Sequence, residues 1–149
     1  MTVTFREATR ADVPAVVALL RDDALGAMRE GANPEAYLQA FDAMQAERNN
    51  VLIVGEIGHR IVATYQVTFI SGLSLQAARR AQIESVRVAG DLRGQRIGHA
   101  MIADAEARAR AAGCTLMQLT MNATRSESRK FYEQLGFVAS HIGFKRSLT

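Results

Sequence analysis

The sequence predicts an α/β (α+β) fold: a mixed central sheet of six or seven strands with helices on both faces, in the order β-α-α-β-β-β-α-β-α-β. Two observations lead there. Stretches of alternating apolar residues are interleaved with stretches of helical apolar spacing, and no linker, repeat or low-complexity segment separates them. In addition, Ile83–Cys114 runs without a break as a strand, a short Gly-containing loop and an Ala-rich amphipathic helix. A chain of 149 residues suits one core, so residues 1–149 are read as a single domain.

Each element has a local reason. Thr2–Ala8 alternates, with Val3 and Phe5 on one face, and forms the first strand. Thr9 is a helix N-cap with Asp12 three residues on and Pro14 in the first turn. Val13, Val16, Val17, Leu19 and Leu20 make that helix's apolar face, which weakens near Gly26 and Gly31. Asn33-Pro34 opens a second helix with Tyr37, Leu38, Phe41 and Met44 at helical spacing, and Asn49-Asn50 ends it. Val51–Glu56 and Arg60–Ile70 read as a hairpin around Gly58-His59, followed by a loop over Ser71–Gln76 and a strand over Ala81–Val88. After the Ala-rich helix come a strand at Leu116–Met121, a helix at Ser126–Leu135 stopped by Gly136, and a last strand at Phe137–Lys145.

Composition narrows the function classes. Eighteen basic against fifteen acidic residues leave a net charge of +3, with the Arg residues dispersed. That balance does not indicate a nucleic-acid groove and suits a cleft for a polyanionic cofactor equally well. The single cysteine, Cys114, excludes an internal disulfide and a Cys-rich metal site, and no metal is expected. Following Gly113, it reads as a small buried residue opening a strand. The N-terminus lacks the layout of a signal peptide, and no apolar run reaches the ~20 residues of a membrane span, so a cytoplasmic protein without a membrane partner is expected.

The chemistry starts at the loop Arg93-Gly94-Gln95-Arg96-Ile97-Gly98-His99. A helix N-terminus there presents unpaired N–H groups and the positive end of the dipole, a seat for a pyrophosphate. A dinucleotide fold would place G-x-G-x-x-G after the first strand, and a nucleotide P-loop would need Gly-Lys-Ser/Thr; neither is present.

V-R-V-A-G-D-L-R-G-Q-R-I-G-H-A-M-I resembles the acetyl-coenzyme A motif of the GNAT N-acetyltransferases. Arg93 to Gly98 fill its six places, with Arg96 where glycine is usual. Downstream, Arg129-Lys130-Phe131-Tyr132-Glu133-Gln134-Leu135-Gly136-Phe137 is similar to the family's Tyr-Glu-x-Leu-Gly-Phe signature. The likeness spans nearly the whole chain, resembles small bacterial members of unassigned amine substrate, and implies the GNAT fold with acetyl-CoA as co-substrate.

The resemblance also implies roles. Backbone groups of Val86, Arg87 and Val88 would pair with the pantetheine arm like an added strand, where the fourth strand splays from the fifth. Arg93, Arg96, Arg125 and Arg129 are candidates for the phosphates, with the N–H groups of Gly94, Gln95, Ile97, Gly98 and His99. Tyr132 is the candidate general acid for the departing thiolate. A phenol near 10 and a thiol near 8.5 leave a gap of about 2 kcal/mol, which desolvation of the thiolate narrows. Glu84, two residues before Val86 and read as sharing its face, is the candidate base, through an ordered water, or a binding group for the cationic amine. His141 is intrinsically better matched as a base. Acceptor candidates are Asp22, Asp23, Met28, Tyr37, Phe41, Phe69, Ile70 and Arg79, together with Glu84 and His141.

The leading expectation is an acetyl-CoA-dependent N-acetyltransferase acting by direct attack on a primary amine of a small molecule. Protein or peptide N-acetylation is the alternative within the class, and a catalytically idle CoA-binding module the alternative outside it. A basic nucleic-acid binder fits less well, because the aromatics fall mostly in apolar patterns. A homodimer is expected from the resembling family.

Overall fold

The computed structural model describes residues 2–149. Strands β1 (Thr4–Glu7), β2 (Asn50–Ile57), β3 (Arg60–Ile70), β4 (Arg80–Val88) and β5 (Leu116–Leu119) form one sheet in sequence order. β1 to β4 pair antiparallel, and β4 and β5 pair parallel. Helices α1 (Val13–Arg21), α2 (Ala24–Arg29) and α3 (Pro34–Glu47) precede β2. α4 is one turn over Ser74–Ala77, α5 (Ile97–Ala111) links β4 to β5, and α6 (Ser126–Gln134) follows β5. A parallel pair needs a crossover, and α5 supplies it.

The caps behave as their residue types dictate. Asp12 accepts from the Thr9 amide at 2.7 Å, closing the turn that leads into α1. Asn33 accepts from the Ala36 amide at 2.9 Å, with Pro34 in the first turn of α3. Each face of the sheet carries a core. Ile53, Tyr65, Val67 and Ile83 pack with Met101 and Ala105 of α5. Val54 packs with Val13, Val16 and Phe41 of α1 and α3. Met101 is fully buried, a burial that contributes about 2–3 kcal/mol. The Tyr65 hydroxyl donates to Asp104 of α5 at 2.6 Å, so its polar tip stays paired under the helix.

Two features of β4 position everything that follows. Gln66 lies opposite Glu84 whereas Thr64 lies opposite Arg87, so β4 carries one extra residue against β3. Ser85 absorbs it with φ of +53°, a β-bulge. The second feature is a parting of strands. Pairing of β4 with β5 runs only from Arg80↔Leu116 to Ile83↔Leu119. Beyond that point the β5-facing backbone of residues 84–88 has no strand beside it.

The structure corrects several expectations. The sheet has five strands among the described residues, not six or seven, because Phe137–Lys145 is not a strand. A strand exists only through its ladder. Beyond Ser140 no backbone hydrogen bond ties this tail to the sheet among the described residues, and Val138, Ile142, Phe144 and Leu148 stay exposed. β5 likewise stops at Leu119 rather than Met121. The weak stretch after α1 contains a separate helix, α2, because the Asp23 side chain caps it at the Gly26 amide. Within the expected loop at 71–76, Leu75 and Gln76 are left-handed, and Leu75 is 71% exposed.

No helix among the described residues is long and apolar enough to cross a membrane. No group of three or more His, Cys, Asp or Glu among them could hold a metal ion.

Candidate active site

The loop before α5 is shaped by two left-handed residues, Gly94 (φ +82°) and Arg96 (φ +63°). Arg96 is the N-cap residue of α5, and its position explains why glycine is usual there. A non-glycine residue in this conformation costs about 1–2 kcal/mol. The first bond within the helix runs from the Ala100 amide to the Arg96 carbonyl at 3.2 Å. The amides of Ile97, Gly98 and His99 are therefore left to an outside acceptor. Arg93, Gly94, Gln95 and Arg96 are exposed beside them, so the loop fits a pyrophosphate.

α6 is brought onto this loop by a missing side chain. A Cβ on Gly98 would lie 3.1 Å from the Phe131 ring. His99 meets the same ring edge-on at 5.2 Å. Phe131 in turn meets Tyr132 at 5.1 Å, and Tyr132 meets Phe137 at 5.8 Å. These contacts fix the Tyr132 ring between Phe131 and Phe137, close enough to Arg87 of the parted strand for that charge to act on the phenol. Burial pushes its phenol above the ordinary tyrosine value, while the charges of Arg87 and Arg125 pull the other way. The phenol is held protonated, a proton donor at neutral pH.

The bulge redistributes the side chains of β4. Ile83 lies in the α5-side core, and Val86 packs against that same core. Glu84 and Val86 therefore do not share a face, contrary to the period-two expectation, because Ser85 inserts a residue between them. Glu84 pairs instead across from Gln66 on the other face, and it is exposed rather than buried. Gln66 and Ser85 line an apolar cavity of about 110 Å³ with Val17, Leu20, Tyr37 and Phe41. A larger cleft of about 450 Å³ touches Asp22, Gly90 and Asp91 but neither Glu84 nor Tyr132, so it lies beside the chemistry. The Tyr37 hydroxyl donates to Glu30 at 2.8 Å and accepts from the Gly31 amide, tying α3 to the end of α2.

At the mouth of the parting, Asp23 holds two cations. Its carboxylate lies 3.1 Å from Arg125 and 3.5 Å from Arg87. The second distance is an ion pair without a hydrogen bond, because the buried Arg87 Nε has no acceptor. Of the other predicted groups, Arg129 is bound to Glu133 at 2.6 Å on the exposed side of α6, and Arg93 reaches the Asp22 carbonyl at 3.4 Å. Val88 pairs with Ala63, and Phe69 lies under the Arg79 guanidinium at 6.0 Å. His141 is exposed on the tail, its Nδ1 2.7 Å from the Ser140 hydroxyl, and no hydrogen bond joins it to Tyr132 or Glu84 among the described residues. The Asp23 clamp and the Ser85 bulge carry no sequence motif; adjacent Asp22-Asp23 before a weak helix was the one available signal.

The fold, the helix-terminal anion loop and the parted parallel strands together define an acyl-CoA-type transferase domain. The chain belongs to the acetyltransferase (GNAT) family, whose model matches residues 15–137. It is 37% identical over 67 residues to an aminoalkylphosphonate N-acetyltransferase of Salmonella typhimurium, a match spanning 45% of this chain and 44% of that protein. The structure of a transcriptional regulator from Bacillus halodurans is 44% identical, with a TM-score of 0.94, over 99% of this chain and 100% of that one. A glucosamine-6-phosphate N-acetyltransferase from Arabidopsis thaliana, at 20% identity, shares the fold over both whole chains, with a TM-score of 0.82.

The Gly98–Phe131 contact yields a prediction. Gly98→Val places two methyl groups into the Phe131 ring and forces α6 away from the loop. Overpacking of this kind costs about 1–3 kcal/mol, and the thermal midpoint should fall while calorimetric CoA affinity weakens. Unchanged stability and unchanged affinity would refute the role given to Gly98.

Proposed function

We propose that this protein is an acetyl-CoA-dependent N-acetyltransferase acting on a primary amine of a small molecule by direct attack in a ternary complex. The observation that carries the proposal is the half-buried, protonated Tyr132, next to the Phe131 ring that packs on Gly98 and His99 of the anion loop. The amides of residues 97–99 hold the pyrophosphate, and the backbone of Val86, Arg87 and Val88, unpaired to β5 although the Val86 carbonyl accepts from the Arg87 guanidinium at 3.0 Å, takes the pantetheine arm. When bound, acetyl-CoA supplies the activated acetyl group.

The remaining work belongs to side chains. Tyr132 Oη delivers a proton to the departing sulfur; the burial that raises the phenol also disfavours a bare thiolate, with Arg87 and Arg125 acting in the opposite direction. Glu84 faces the acceptor side, where a carboxylate binds an ammonium and passes its proton through water to solvent. The apolar cavity beside Gln66 and Ser85 takes the acceptor's hydrocarbon part. Its small volume favours a small molecule over a polypeptide, and the activity named for the Salmonella relative supports the same branch. A transcriptional-regulator role, the one named for the Bacillus structure, finds less support, since Arg6, Arg10, Arg60, Arg108, Arg110 and Arg129 are ion-paired and spread over β1, the turn before α1, β3, α5 and α6.

A thiol-release assay with acetyl-CoA and a panel of primary amines tests the proposal. Turnover is expected, and Tyr132→Phe should lower kcat about 10²–10⁴-fold, the range of a lost general acid. Undiminished turnover by Tyr132→Phe would remove the acid assignment. Tight CoA binding with no turnover on any amine would leave a CoA-binding module.

A homodimer belongs to the same proposal. Val138, Ile142, Phe144 and Leu148 of the C-terminal tail are exposed at 81–92%, while among the described residues the outer edge of β5 has no partner strand. Edge and tail in two copies can satisfy each other with two-fold symmetry. His141 reaches an acceptor only if the tail folds over a cleft, its own or a second copy's. Cytoplasmic residence is also proposed, supported by the lone buried thiol, Cys114. Light scattering should report a dimer that Phe144→Asp dissociates; a monomer at every concentration would end the dimer proposal.

A further inference from the structure

The cations around Asp23 outnumber their counter-charges. Arg87 of β4 and Arg125 at the start of α6 both face Asp23, the one carboxylate between them. Arg87 is 16% exposed and Asp23 18%. Asp23 is already fully engaged: one oxygen accepts from the Gly26 amide, and the other faces both guanidiniums. The neighbouring acids are turned elsewhere. Asp22 accepts from the Gly90 amide at 3.0 Å, and Glu30 accepts from Tyr37 at 2.8 Å. Two guanidiniums against one carboxylate leave a partly buried surplus of positive charge. Arg87 pays for its burial with an Nε that finds no hydrogen-bond acceptor. A cluster of this kind is unfavourable by itself and becomes favourable when an anion enters it.

The position of the cluster says whose anion it takes. Its charges reach Tyr132, the residue placed at the sulfur. The charged groups of CoA lie at its nucleotide end, on the amides that open α5, while the arm from there to the thioester is uncharged. An anion beside Tyr132 therefore belongs to the other substrate. Arg87 emerges on the face opposite Val86, the same face as Glu84 and the apolar cavity.

We propose that the acceptor is an amine carrying an oxyanion (a phosphonate, phosphate or carboxylate), seated on Arg87 and Arg125. This rests on the N-acetyltransferase reading and names the acceptor class for it. Glu84 and the arginines then address opposite ends of a zwitterion, the ammonium and the anion. Asp23 is a positioning residue: it faces both guanidiniums, and with one Arg87 nitrogen donating to the Val86 carbonyl at 3.0 Å, the remaining N–H groups are left to the ligand.

The test compares 3-aminopropylphosphonate and β-alanine with uncharged n-butylamine at saturating acetyl-CoA. The anionic amines should have kcat/KM at least about tenfold higher, the scale of one charge-assisted contact. Arg87→Gln and Arg125→Gln should each erase most of that preference, through the acceptor KM and not the acetyl-CoA KM, and Arg87→Lys should recover part of it. Equal or better use of n-butylamine by the wild type overturns the inference. So does a loss in either Gln variant that falls on the acetyl-CoA KM, because the anion is then the cofactor's. A second measurement separates this inference from the enzymatic reading. Methylphosphonate is titrated calorimetrically into the CoA-bound protein. Binding that Arg87→Gln abolishes supports the anion seat even if no amine is acetylated, and no binding overturns it.

Discussion

The structure depends on the parting of β4 from β5. Parallel strands joined by a helix would ordinarily stay paired along their length, and here they pair over four positions, from Arg80↔Leu116 to Ile83↔Leu119. One extra residue on β4, accommodated by the left-handed Ser85, turns the strand at the point where pairing stops. The parting leaves a row of peptide groups on residues 84–88 that a bound arm can use as a strand would. The same bulge exchanges the faces of β4, sending Val86 into the α5-side core and Glu84 and Arg87 to the side of α1 and α3. A single backbone irregularity thus creates the cofactor slot and the acceptor face together.

The elements around the parting are held by a few contacts that a local change would break. Gly98 lets α6 approach α5, and with it Tyr132 approaches the slot. Asp23 joins three elements by capping α2 and holding Arg87 of β4 and Arg125 of α6. Tyr65 and Asp104 fix α5 on the sheet from below, with Arg108 at 2.8 Å from the same carboxylate. The site is therefore built on rigid elements at its cofactor end and on a short helix, α2, at its acceptor end. That division suits a fixed cofactor and an acceptor that must enter and leave.

How much of this could be read from the chain varies with the distance over which each feature is decided. The anion loop was legible because its cause is local: a strand, glycines and a helix start within one stretch, and even Arg96 at the glycine position reappears as a left-handed N-cap. The opening of α3 at Asn33-Pro34 was legible for the same reason, whereas Thr9 caps a short 3₁₀ turn, Arg10–Asp12, and α1 itself is capped by Asp12. The last strand was not, because alternation in residues 137–145 records a strand's faces but not whether an edge is present to receive it. The placement of Glu84 failed on one residue, since a period-two argument has no means of seeing a bulge. The Asp23 clamp was invisible because its members come from positions 23, 87 and 125, which only the fold brings together.

The central claim is that a CoA-type ligand lies along the parted β4 with its pyrophosphate on the first turn of α5. Backbone amide chemical shifts followed during a titration with CoA test it most directly. The account predicts that the largest changes fall on residues 94–99 and 86–88. Changes confined to α1, α3 or the tail, with residues 94–99 unmoved, would contradict it.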